Sequence, residues 1–143
     1  MLCLNRSVRS SFTSSLARKI ASPWLGLDLR PRMHAYLATV CRDLGAEVVR
    51  VGGVADHVHI VTTLPRTVSQ AQLIEQIKKV SSKWIKTLDA RYRDFFWQRG
   101  YGAFSVSPSQ LDTVVQYVEA QPRALSHSHV SGGIPRVATQ ARR

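Results

Sequence analysis

Acidic side chains are scarce in this chain. Asp and Glu number 9 against 20 Lys and Arg, for a formal net charge of +11 over 143 residues. The shortage is uneven. Residues 1–27 hold no acid and six serines, and residues 122–143 hold no acid either. Net charge is +4 for residues 1–30, +3 for residues 31–121 and +4 for residues 122–143. The middle is thus only mildly basic, and nucleic-acid binding must be argued from a site, not from the isoelectric point. Cysteine is nearly absent as well. Cys3 and Cys41 make neither a disulfide framework nor a paired metal motif, which fits a reducing cytoplasm. No apolar run is long enough to span a bilayer, so a soluble protein with no membrane partner is expected. There is no internal repeat, and the length suits one domain with a real core.

What is present alternates between helical and strand patterns. Residues 31–44 begin with a proline suited to a first turn, carry Met33, Leu37, Val40 and Leu44 as one stripe, and stop at Gly45. "AEVVRVGG" and "VADHVHIVTTL" predict a hairpin. A capping box of Ser69 and Gln72 opens a second helix with Leu73, Ile77, Val80, Trp84 and Leu88 on one side. Lys79, Lys83 and Lys86 form another stripe on it. "FFWQRGYGAFSVS" ends in a strand. A third helix follows, with Ser107 as cap, Pro108 in the first turn, Gln110 closing the box and Pro122 marking the end. These elements predict an α+β fold with helices on one face of a sheet. A leading strand would complete a ferredoxin-like core, but residues 1–23 show no convincing one.

Within the hairpin, His57 and His59 leave the same strand face, about 7 Å apart. That suits a metal site, although polar sheet faces also carry histidine, and two imidazoles need a further ligand. Tyr117 and Gln121 are one turn apart on the third helix. A Gln amide oxygen suits Mg²⁺ or Mn²⁺, and a tyrosine beside such a cation is a nucleophile for a phosphodiester. Spacing alone equally allows a boundary aromatic and an exposed last-turn amide. The lysine stripe, and Arg99 before the Gly-Tyr-Gly stretch, either follow a DNA backbone or form a solvated face. Phe95, Phe96, Trp97, Tyr101 and Phe104 are expected mostly in the core. Asp56 reads as structural and His34 as a helix-surface residue.

Taken in order, "ADHVHIV", "SSKW", "WQRGYGAFSVS" and "YVEAQ" resemble the single-tyrosine transposases of insertion sequences and the REP-associated tyrosine transposases, both in the HUH superfamily. The resemblance covers about residues 23–121. It implies a ferredoxin-like antiparallel sheet with a C-terminal catalytic helix. It assigns His57, His59 and Gln121 as ligands of Mg²⁺ or Mn²⁺ and Tyr117 as nucleophile. It further implies cleavage of single-stranded DNA through a 5′-phosphotyrosine at hairpin-bearing element ends, with a free 3′-OH that later reseals. A cytoplasmic, nucleoid-associated bacterial homodimer is the expected form. The alternatives are a domesticated hairpin endonuclease and an inactive remnant that binds single-stranded nucleic acid.

The resemblance fails at both ends. Codons permitted for residues 11–23, read out of step, spell "LHVVSRPKNREP", close to the family's first strand. Codons for residues 124–135 similarly spell a segment like the family's continuation. Residues 1–22 and 122–143 are therefore read as off-frame flanks of a domain at 23–121, and the sheet is expected to lack its first strand. On this reading the match of residues 1–27 to an organellar transit peptide is coincidental.

Overall fold

The computed structural model describes residues 11–17 and 25–124, with side chains from 25 to 120. Its elements run β1 (Ser11–Ala17), α1 (Leu29–Asp43), β2 (Val48–Gly53), β3 (His57–Thr63), α2 (Gln70–Leu88), β4 (Gly102–Val106) and α3 (Leu111–Ala124). Among the described residues the strands form one antiparallel sheet in the order β2-β3-β1-β4. This is the ferredoxin-like arrangement.

The expectation of a missing first strand is corrected. β1 lies inside the sheet, with Ser15 opposite both His59 and Gly102. A strand flanked on both sides is held by two ladders of backbone hydrogen bonds, so its own side-chain pattern carries less of the signal. "SFTSSLA" is too serine-rich to announce itself by periodicity. Of the other residues in the two flanks expected to be off frame, 122–124 continue the last helix and the rest lie outside the described set.

α1 buries Leu29, Met33, Leu37 and Cys41, spaced four apart, against the sheet. It closes at Gly45 (φ +84°), where the Gly45 N–H reaches the Arg42 carbonyl at 2.9 Å and the Ala46 N–H reaches that of Cys41 at 2.9 Å. α2 starts at the expected capping box: Ser69 Oγ accepts from the Gln72 N–H at 3.2 Å, and Gln72 Oε1 accepts from the Ser69 N–H at 2.9 Å. Its Leu73, Ile74, Ile77 and Ile85 join Val58 and Ile60 of β3 in one core. Tyr36 and Trp84 stack between the two helices at 4.3 Å. α1 and α2 therefore cover the sheet face that carries Val58 and Ile60.

α3 behaves differently from its expected form. Ser107 makes no capping bond to the backbone; its hydroxyl meets that of Ser109 at 3.1 Å, and Pro108–Gln110 form a 3₁₀ turn ahead of the helix. Pro122 does not end the helix, which runs to Ala124. A proline removes the N–H bond to the carbonyl four residues back and crowds the preceding turn, which weakens the last turn here without ending it. α3 packs on β2 and covers the sheet face opposite α1 and α2.

That packing depends on Gly52. A Cβ added there would lie 2.6 Å from Val118 Cγ1 and 3.0 Å from the Val118 carbonyl oxygen. Val118 is fully buried, and Arg50 pairs with Glu119 beside it. The ion pair is half exposed and contributes little; the close approach does the positioning. Gly52→Ala should cost about 1–3 kcal/mol by overpacking, read as a lower urea midpoint. Gly26→Ala, where a Cβ meets nothing within 4 Å, serves as the control and should leave the midpoint almost unchanged.

His34 is not a surface residue. It is half-buried on α1, and burial, with the Arg30 charge second, lowers its pKa from 6.5 to about 4. Above pH 6.5 the imidazole is neutral whether folded or unfolded. Between 6.5 and 4 the unfolded chain takes up a proton that the folded chain refuses, so stability falls with pH across that window. His34→Leu should flatten this fall. Equal acid sensitivity of wild type and variant in urea titrations would contradict it.

Candidate active site

The hairpin that presents the histidines is tightly built. At Gly53 (φ +150°) a Cβ would sit 2.3 Å from the His57 carbonyl oxygen, so only glycine lets β2 turn this close to β3. The Val54 N–H then bonds that carbonyl at 3.0 Å. From here β3 sends Val58, Ile60 and Thr62 into the layer under α1 and α2, and His57 and His59 to the other face. The alternation expected from the sequence is present.

The two imidazoles meet edge to face with centroids 4.9 Å apart. A nitrogen donor about 2.1 Å from a cation places its ring centroid roughly 3 Å from it, so adjacent ligands stand about 5 Å apart. The pair fits that spacing. Asp56 Oδ1 accepts a hydrogen bond from His57 Nδ1–H at 2.6 Å. A proton held on Nδ1 fixes the tautomer whose Nε2 carries the lone pair, the form a metal needs. Asp56, read from sequence as structural, is therefore a residue that orients His57. Its position directly before the histidine was the available signal.

Across the same face, Tyr117 of α3 lies over His59, with ring centroids 6.0 Å apart. His59 is buried, at 7 % exposure, whereas Tyr117 is 40 % exposed, so the phenol is open to a large substrate. Gln121 follows one turn later on α3, and its side chain lies outside the described residues. Among the described residues no three His, Cys, Asp or Glu side chains cluster. A cation here would rest on two imidazoles and need a further ligand of another type. Oxygen donors beside imidazole suit Mg²⁺ or Mn²⁺.

The basic candidates do not converge on this face. Lys79, Lys83 and Lys86 are exposed on α2, in the helix layer across the sheet. Arg99 is exposed in the loop before β4. Lys78 holds that loop: its ammonium donates to the Gln98 carbonyl at 2.8 Å and to that of Gly100, and burial lowers its pKa. The aromatic group divides. Phe95 and Trp97 are buried, with Trp97 Nε1–H donating to the buried Ser81 hydroxyl at 2.8 Å, as core packing predicts. Phe96, Tyr101 and Phe104 are exposed.

Comparison with known proteins accords with this geometry. A family model described as "Transposase IS200 like" matches residues 16–121. Among solved structures, a candidate transposase of Deinococcus radiodurans R1 superposes with a TM-score of 0.61 at 17 % identity, covering 78 % of this chain and 89 % of that one. A REP-associated tyrosine transposase bound to a REP hairpin superposes with a TM-score of 0.62 at 15 % identity, covering 80 % and 67 %. No curated protein matches by sequence. Among the described residues no helix is long and apolar enough to cross a membrane. The match over most of the chain, on an α+β fold shared with these structures, places the protein in the IS200-like transposase family.

Proposed function

We propose that this chain is a divalent-metal-dependent DNA strand transferase that cuts single-stranded DNA through Tyr117. The observation that carries the reading is the shared face on which Tyr117 lies 6.0 Å from His59, itself 4.9 Å from His57. His57, His59 and Gln121 would hold Mg²⁺ or Mn²⁺, which supplies stabilisation of the charge developing on the phosphate.

The chain's own residues carry the remaining roles. Asp56 keeps His57 in the ligating tautomer. The Tyr117 oxygen attacks the scissile phosphorus as its proton is lost to solvent. The bond from phosphorus to the 3′ oxygen breaks, and that oxygen leaves as a 3′-OH after taking up a proton. The 5′-phosphotyrosine conserves the energy of the broken ester, so a 3′-OH attacking it reseals DNA and frees Tyr117. A half-exposed phenol suits a nucleophile that must meet two different DNA ends in turn.

The related structure with a bound REP hairpin supports hairpin-bearing single strands as the substrate class; Arg99 and the lysines of α2, which lie away from the catalytic face, would meet the backbone of the hairpin beyond the cut strand. A homodimer acting at the bacterial nucleoid, in the cytoplasm, is part of this reading.

A labelled hairpin with single-stranded flanks, incubated with protein and Mg²⁺ and run on a denaturing gel, tests it. Wild type should give a covalent adduct, and Tyr117→Phe should lower it by at least about 10³-fold, as for removal of other nucleophiles. His57→Ala, His59→Ala and chelation by EDTA should each abolish it. Asp56→Ala should raise the Mg²⁺ requirement by about 10–100-fold. An adduct that survives Tyr117→Phe would overturn the assignment.

A further inference from the structure

One exposed ring on the working face of the sheet is not used by the chemistry above. Phe104 sits on edge strand β4 and is 48 % exposed. The strand register fixes which face it shares. Phe104 and Val61 both lie opposite Thr13, and residues directly opposed in antiparallel strands share a face. Val61 alternates with His59 and His57, so Phe104 belongs to the histidine face. Its neighbour Ala103 points to the other face and packs on the core under α1 and α2.

Phe104 lies two strands and two residues from His59, an offset of about 10 Å across and 7 Å along, or roughly 12 Å in all. α3 packs on the β2 side of this face, and the ring stays open on the β4 side. The loop leading to it is held by Lys78 and carries exposed Arg99, a cation for a passing phosphate. Single exposed apolar side chains are ordinary. This one lies on the same face as the nucleophile, in a protein whose proposed substrate has unpaired bases.

We propose that Phe104 is a stacking platform for an unpaired base of the DNA flanking the bond cut at Tyr117. The inference rests on the strand-transfer reading and adds a substrate contact to it. Phenylalanine has no hydrogen-bonding group, so the contact would grip a single strand without reading its sequence, and it would be closed to a paired duplex.

The test titrates three fluorescein-labelled probes by anisotropy: an oligothymidylate, an abasic chain of equal length and a blunt duplex. Phe104→Leu should bind oligothymidylate about tenfold more weakly, with the abasic chain and the duplex unchanged, and Phe104→Trp should keep the wild-type affinity. In the adduct assay Phe104→Leu should raise KM and spare kcat. Equal weakening on the abasic chain would mean a lost fold or charge, and overturns the proposal. So does unchanged binding, including the case in which Phe104→Leu instead turns a dimer into a monomer in sedimentation, which would make this face a contact between copies. Failure of wild type to form any adduct would bring down the strand-transfer reading itself. Normal adduct formation with an indifferent Phe104→Leu would remove only the stacking.

Discussion

The closeness of α3 to β2 governs the site. Gly52 lacks the one atom that would collide with Val118, which Tyr117 and Glu119 flank on the helix. Because side chains one residue apart leave a helix in different directions, seating Val118 on the sheet turns Tyr117 toward His59 while leaving it partly exposed. Gly52 is also the cross-strand partner of His59. The spacer that admits the helix is thus directly beside the imidazole that the helix must reach.

The sheet divides labour between its faces. One face is packed by α1 and α2 into a continuous apolar core, and the same residues of β3 that build it, Val58 and Ile60, hold the strand rigid. The other face carries His57, His59 and the helix that brings Tyr117. A strand with one face in an apolar core gives the ring positions little freedom to slip, since a one-residue shift would send the imidazoles into that core. Stability and chemistry are built from alternate residues of the same seven-residue strand.

Much of this was legible in the sequence, for physical reasons particular to each element. The period-two pattern of "VHIVTT" gave the two faces of β3, and the Ser69–Gln72 box marked the start of α2, because both signals are local. β1 was not legible, since a central strand is held by ladders contributed by β3 and β4, which are distant in sequence. Nor was the start of α3, where Ser107 bonds to Ser109 and not to the helix. The site residues were visible as types and spacings, but their convergence needed the Gly52 contact, which no periodicity encodes. The burial of His34 was not legible, because helical spacing does not tell how far a polar residue next to the apolar stripe is sunk into the fold.

The central proposal is that His57, His59 and Gln121 hold one cation beside Tyr117 on a single face of the sheet. Mn²⁺ titration of the full chain, followed by NMR of the aromatic side chains, tests it most directly. Substoichiometric Mn²⁺ should broaden the resonances of His57, His59 and Tyr117 first and spare Tyr36 and Trp84, stacked in the helix layer across the sheet; His57→Ala should abolish the effect. Uniform broadening, or broadening that survives His57→Ala, would contradict the account.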